Sequence, residues 1–162
     1  MGILSRKTQK YTKLKCVDIE IALARYFNFR TNVIVPNISW GMFNHECDLL
    51  LLSPAGYATE IEIKISKSDL IADKKKLHKH NDHKIKNLYF AIPTYLRHCI
   101  KHIPDKAGII LIDQKKHCEI IRKPRSNKTP YKFTDPDKFL IARLGTMRIW
   151  GLKERIEQYK NK

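Results

Sequence analysis

The feature that most constrains this chain is a short segment, residues 57–65, in which charged and apolar side chains alternate. The charged positions are Glu60, Glu62 and Lys64, and the apolar positions are Ile61, Ile63 and Ile65. Because successive side chains of a β-strand point to opposite faces, this period of two predicts a strand with one apolar and one charged face. The sequence therefore predicts a sheet that holds two carboxylates and an ammonium group side by side.

A second predicted strand comes just before this one, and it carries one acid in front of an apolar run. Asp48 is followed by four consecutive leucines and then by the turn residues 53–57. In a hairpin that pairs Leu52 with Ala58, Asp48 lies opposite Glu62. A loop one residue shorter would pair Asp48 with the preceding isoleucine instead, so the meeting of the two acids depends on the hairpin register.

Two converging carboxylates are suited to a hard divalent cation, Mg²⁺ or Mn²⁺. Without a cation, the repulsion between Asp48 and Glu62 is unfavourable. The main-chain carbonyl of Ile63 is a natural further ligand, because it lies between the Glu62 and Lys64 side chains. We expect Lys64 to lie within reach of a metal-bound water, where its charge would position that water or stabilise a phosphoryl oxygen.

These segments resemble a known nuclease superfamily. Asp48 followed by the tripeptide Glu62-Ile63-Lys64 resembles the D…(D/E)xK signature of the PD-(D/E)xK nucleases. The run EIKISKSDLIADK, which begins at Glu62, is similar to the corresponding stretch of the MmcB-like DNA-repair nuclease family. The similar stretches are residues 62–74, 87–93 and 107–110, within roughly residues 44–122.

The resemblance implies a restriction-endonuclease-like α/β fold, in which a mixed sheet with an α-β-β-β-α-β core is flanked by helices. It implies a Mg²⁺-dependent deoxyribonuclease that hydrolyses phosphodiester bonds in DNA repair, recombination or mobile-element and phage processing. Asp48 and Glu62 would be the metal ligands, and Lys64 would assist the nucleophile. The alternative is a catalytically silent nucleic-acid-binding module of the same fold.

The chain departs from the superfamily pattern, and some accessory acids remain open. Cys47 stands where the superfamily name has proline. The helical acid often found upstream would here be Glu20, and Glu46 competes with Asp48 because it lies just before the strand. Glu60 is either a group supporting the metal site, a ligand of a second metal ion, or a solvated strand residue.

The remaining pattern predicts a helix, three strands, a helix, a strand, a short helix, two strands and a final helix, in a mixed sheet with helices on both faces. Ser66 or Ser68 caps the central helix, which we expect to run to about His80. In the last helix, which begins at Asp135, Gly145 and Gly151 are weak points that could split it. We expect a basic N-terminal arm over residues 1–13, a nuclease-like domain over 14–122, and a basic loop and helical segment over 123–162 packed on that domain.

Charge is the strongest compositional signal. Lysine and arginine number 32 against 16 aspartates and glutamates, a formal net charge of +16. Such an excess favours an anionic partner, and we expect DNA rather than RNA, although lysines that merely solvate the surface would give the same count. The residues expected to contact the phosphate backbone are Lys67, Lys74, Lys75, Lys79, Arg122 and Arg125.

Histidine and cysteine spacing favours structural roles. His78, His80 and His83 lie where the central helix is expected to end, which favours a structural or phosphate-contacting role over a metal site. The four cysteines are far apart and form no CxxC, which argues against a closed zinc site and for reduced thiols. The chain has neither an apolar run long enough to cross a membrane nor a secretory signal pattern, so we expect it in the cytoplasm.

Overall fold

A six-stranded mixed sheet forms the centre of the structure, a computed structural model that describes residues 13–38, 43, 45–74 and 80–160. The strands lie in sequence order across the sheet. The β3–β4 and β4–β5 pairs are parallel, and the other neighbours are antiparallel. The elements are α1 (Cys16–Tyr26), β1 (Val33–Ile38), β2 (Cys47–Leu52), β3 (Ala58–Ile63), α2 (Lys67–Asp73), β4 (Ile85–Pro93), a 3₁₀ helix (Thr94–His102), β5 (Gly108–Ile112), β6 (Cys118–Arg122) and α3 (Asp135–Lys160).

One face of the sheet is covered by α1. The helix buries Ile19 and Leu23 against the inward-facing residues of the central strands, among them Ile61 and Ile63 of β3. The predicted alternation is therefore confirmed on its apolar side. Each such isoleucine stabilises the fold by about 1.5–3 kcal/mol through removal of apolar surface from water.

The opposite face is covered by α2, the 3₁₀ helix and α3. Leu70 of α2 and Leu96 of the 3₁₀ helix pack on β4 and β5. Ile141 and Leu144 of α3 pack on β1 and β2 together with Phe133 from the preceding loop. Glu60 and Glu62 also lie on this face, and both are fully buried. The charged side of β3 is thus enclosed by helices instead of facing solvent.

The predicted order of elements and the α-β-β-β-α-β core are confirmed, with two differences at element ends. Proline in a strand pattern usually marks the end of the strand, but β1 continues through Pro36 to Ile38. This is possible because β1 is an edge strand, where the missing N–H of proline removes no ladder hydrogen bond. The central helix ends at Asp73, earlier than predicted, and Ser66 caps it by accepting a hydrogen bond from the Asp69 amide.

The last helix is continuous, so the predicted split at its glycines was wrong. Gly145 lies inside α3 with Val35 of β1 only 3.2 Å from where a Cβ would stand, and its small size lets the helix approach the strand. Packing here outweighs the low helix propensity of glycine. The expected N-terminal arm lies almost wholly outside the described residues. No helix in the described ranges is long and apolar enough to cross a membrane.

The close packing of the sheet around Gly108 can be tested by substitution. A Cβ at Gly108 would come within 2.4 Å of the Tyr89 ring and 3.0 Å of the Arg122 carbonyl oxygen. We expect Gly108→Ala to lower the free energy of unfolding by about 1–3 kcal/mol, measured by urea denaturation. Gly151→Ala is the matched control, because nothing lies within 4 Å of that position on α3 and alanine is the better helix former. Equal stability of the two variants would contradict this packing.

Candidate metal-binding active site

The β2–β3 hairpin brings Asp48 to the end of β3. Leu52 pairs with Ala58, so the register on which the prediction depended is confirmed. The ladder's last pair is Leu49 with Ile61. Beyond it, the Ile63 amide donates a hydrogen bond to Asp48 Oδ2 at 2.9 Å. Where main-chain pairing between β2 and β3 ends, the Asp48 carboxylate therefore accepts the hydrogen bond of the next strand amide.

Lys64 lies between the predicted metal ligands. Its Nζ donates to Glu62 Oε2 at 2.5 Å and to Asp48 Oδ2 at 3.3 Å, and it lies 3.3 Å from Asp73 Oδ1. Burial alone would lower the pKa of Lys64, but the carboxylates of Glu62 and Asp48 outweigh it and raise that pKa. The ammonium group is therefore permanently charged and occupies the place where two carboxylates converge.

The three signature side chains differ sharply in access to solvent. The side chain of Asp48 is 37% exposed, whereas those of Lys64 and Glu62 are 8% and 1% exposed. Burial raises the pKa of Glu62, with Asp48 adding to the effect and Lys64 opposing it. The site is thus a closed acid cluster whose Asp48 end opens to the surface.

A second group of buried side chains, which the sequence analysis did not connect, continues the cluster. Glu60 Oε1 lies 2.6 Å from His45 Nε2 and 2.8 Å from His80 Nδ1. His80 Nε2 lies 2.7 Å from Asp73 Oδ2, and Asp73 in turn contacts Lys64. Of the three roles left open for Glu60, the solvated strand residue is wrong. The residue that the sequence-based prediction did not include is His45, which precedes Asp48 by three residues.

The hydrogen bonds of this group control its protonation. Burial alone would raise the pKa of Glu60, but the bonds with His45 and His80 outweigh it and hold that pKa at about 2. Burial would lower the pKa of His80, but its bonds with Asp73 and Glu60 raise it to about 9. At neutral pH, His80 is therefore a buried cation between two carboxylates.

The accessory acids differ in their relation to the site. Glu20 of α1 has a pKa raised by its own burial and by the charge of Asp48, so the two carboxylates are close enough to interact. Glu46 is exposed beside β2. Ile63, the residue expected to offer its carbonyl, closes β3 and binds Asp48 through its amide.

The four expected phosphate-contacting residues that the structure describes lie in different elements. Lys67 is exposed at the start of α2, and Lys74 Nζ donates to the Lys101 carbonyl at 3.3 Å. Arg122 donates to the carbonyl oxygens of Ala107 and Pro104 and lies three strands from Glu62, about 14 Å across the sheet. Arg125 is exposed in the loop after β6. Lys75 and Lys79 lie outside the described residues.

Comparison with known proteins gives information on the fold and none on the chemistry of the site. The structure is similar to that of the SPO1766 protein of unknown function from Silicibacter pomeroyi, with a TM-score of 0.63, 16% sequence identity, and coverage of 93% of this chain and 97% of that chain. At this identity the likeness shows a shared α/β fold. The sequence matches no protein-family model and no curated protein.

The buried imidazolium of His80 makes stability depend on pH. Its pKa of about 9 in the folded chain exceeds the ordinary 6.5, so its contribution is complete below about pH 6.5 and is lost as the pH rises through 9. We expect a loss of the order of 3 kcal/mol in unfolding free energy between pH 6.5 and 10, measured by urea denaturation.

His80→Gln should flatten this slope, whereas His83→Gln, at a ring 73% exposed, should leave it unchanged. A slope that persists at full size in a folded His80→Gln protein would show that another group is responsible.

Proposed function

We propose that the protein is a metal-dependent nuclease that hydrolyses DNA phosphodiester bonds on a restriction-endonuclease-like scaffold. The observation that supports this most directly is the convergence of Asp48 and Glu62 on one cationic nitrogen at the end of β3. The D…ExK residues are thus neighbours in space as well as members of a sequence pattern. The α-β-β-β-α-β order of the core supports the proposal, because the resemblance to PD-(D/E)xK nucleases implies the same order.

The donor set fits Mg²⁺ or Mn²⁺. Asp48 and Glu62 offer carboxylate oxygens, the preferred ligands of hard divalent ions, and the Ile63 carbonyl would add a third oxygen. Among the described residues that these ion pairs connect, four carboxylates face the cations Lys64 and His80, which is a formal excess of negative charge. A divalent ion would balance this excess. When bound, such an ion polarises a phosphoryl oxygen and makes water a better nucleophile.

The protein's own residues supply the positioning. The Ile63 amide fixes one oxygen of Asp48, and Glu62 and Asp73 hold the Lys64 ammonium group from two sides. Because its pKa is raised, Lys64 brings a permanent positive charge to a phosphate at the Asp48 opening. Its burial excludes water from all but that side.

Variants of the signature residues test the activity. We expect Asp48→Asn and Lys64→Ala each to reduce Mg²⁺- or Mn²⁺-dependent cleavage of plasmid and linear DNA by at least about 10²-fold, since each removes a charge that acts on the reacting phosphate. Asp105→Asn is the matched control, because that carboxylate is 90% exposed and lies in the turn before β5. Equal cutting by wild type and Lys64→Ala, in preparations of equal purity, would identify the cutting as contamination.

The affinity for nucleic acid can be tested separately from cleavage. Lys67 is exposed one turn beyond Lys64, where it can contact a phosphate backbone that approaches Asp48. We expect Lys67→Glu to weaken DNA binding and to reduce the slope of log K against log salt by about 1, measured by fluorescence anisotropy. Lys160→Glu, at the exposed end of α3, makes the same charge change away from the site and should have a much smaller effect. Equal losses in both variants would indicate binding through net charge alone.

A second candidate is a binding module without turnover. It is favoured by the contact of Lys64 with both carboxylates, because this ammonium group offsets the repulsion of the acid pair without a metal ion. Salt-sensitive DNA binding with no metal-dependent cleavage by the folded wild type would support it over the nuclease.

A further inference from the structure

We propose that His45, Cys47, Glu60 and His80 bind a transition-metal ion of the zinc type, at a buried site that neighbours the Asp48–Glu62 pair. The four side chains come from the start of β2, from β3 and from the segment that precedes β4. This inference does not depend on nuclease activity, because its evidence is the donor set itself.

The geometry gathers the donor atoms around Glu60. One donor atom from each of His45, Cys47 and Glu60 lies within 4.8 Å of the other two. A second such group consists of Glu60, Glu62 and His80, so Glu60 links His80 to the first group. The two imidazole rings meet edge to face with centroids 5.2 Å apart. Ligand atoms around tetrahedral zinc are about 3.3–3.8 Å apart, so His45, Cys47 and Glu60 would move closer together to hold an ion, and His80 Nδ1, 2.8 Å from Glu60 Oε1, would complete the set.

The chemistry of the donors selects the metal. Two imidazole nitrogens, one thiolate and one carboxylate form a nitrogen- and sulfur-rich set that suits Zn²⁺ or Co²⁺ and is poorly suited to Mg²⁺. The site is also dry, because the side chains of His45 and His80 are 5% and 2% exposed and Glu60 and Cys47 are fully buried. Spacing rules miss this set because its members come from three segments, and a search for CxxC pairs finds only single cysteines.

His80 is already oriented as a metal ligand would be. Its Nε2 bonds Asp73 Oδ2 at 2.7 Å, which leaves Nδ1 directed at Glu60. A carboxylate on the far nitrogen is the usual partner of a metal-bound histidine, since it fixes the ring and raises its basicity. The backbone of His80 has a positive φ of 52°, a costly conformation for a residue other than glycine, which indicates that the placement of the ring is enforced.

Hydrogen bonds connect the donor side chains at the position that the ion would occupy. Glu60 Oε1 contacts a nitrogen of each histidine, so hydrogen bonds link the carboxylate to the two rings. Binding of a divalent ion would replace these bonds and would release the Cys47 thiol proton and the His80 Nδ1 proton to solvent, with no change of oxidation state. A cavity of about 330 Å³ is lined by His80 and Lys106, on one side of the donor group.

Cobalt binding tests the site. Full-length protein treated with a chelator is titrated with Co²⁺ and followed by absorption and by metal analysis. We expect one Co²⁺ per chain, a thiolate-to-cobalt charge-transfer band in the near ultraviolet, intense visible bands of a tetrahedral ion, and their loss on addition of Zn²⁺. Cys47→Ser should remove the charge-transfer band, whereas Cys99→Ser, at an equally buried thiol in another part of the core, should keep it.

Further variants separate this site from the proposed active site. A protein with serine at Cys16, Cys99 and Cys118 should keep the band, since Cys47 is then the sole thiol. Asp73→Asn should weaken Co²⁺ binding about 10–100-fold through its effect on His80. Asp48→Asn should abolish DNA cleavage and leave the cobalt spectrum unchanged.

The proposal is overturned if folded wild type shows no thiolate–cobalt band, or if the band survives in Cys47→Ser. Should Cys47→Ser fail to fold, the variant with Cys47 alone decides, because loss of its band while its circular dichroism matches wild type has the same meaning.

Discussion

The burial of several carboxylates on one face of β3 is the constraint around which the rest of the structure is arranged. Glu60 and Glu62 are buried under helices. Asp73, the last residue of α2, joins them through its contacts with Lys64 and His80. A buried carboxylate without a partner costs several kcal/mol. Lys64 and His80 meet this cost by placing positive charge between pairs of acids. Their positions are therefore conditions of the fold as much as parts of a site.

A core built only for stability would not contain such a cluster. Replacing a buried ion pair by packed apolar residues is often neutral or stabilising, and β3 already has Ile61 and Ile63 on its other face. Buried titratable groups with shifted pKa values are concentrated at functional sites. The persistence of Glu60, Glu62 and Lys64 on one buried strand face therefore favours a chemical role over a structural one.

The sequence could predict this region well because its signals are local. The alternation in β3 and the length of the turn after Leu52 together determine which face each acid occupies and which residue it meets. The limits of β1 and α3 depend on more distant packing. Pro36 is accommodated because β1 lies at an edge, and Gly145 stays helical because Val35 packs against it.

The His45–Glu60–His80 network was not predictable in the same way. His45 lies between β1 and β2, outside either strand, and His80 follows a helix that ends seven residues before it, so no periodicity relates the two rings. They meet only because β3 is central in the sheet and both flanking segments return to its charged face. Long-range assembly of this kind leaves no spacing for a sequence pattern to detect.

The cluster also joins the proposed nuclease site to the proposed transition-metal site through shared side chains. Asp73 bonds His80 with one oxygen and contacts Lys64 with the other. An ion that displaced the proton from His80 Nδ1 would replace its single charge with the ion's own double charge and so change the field at Asp73 and Lys64. The position of Lys64 between Glu62 and Asp73 would then depend on whether the inner ion is bound. Because Lys64 contacts Asp48 at the opening of the cluster, an inner metal ion would influence phosphate binding at the surface without contacting the substrate.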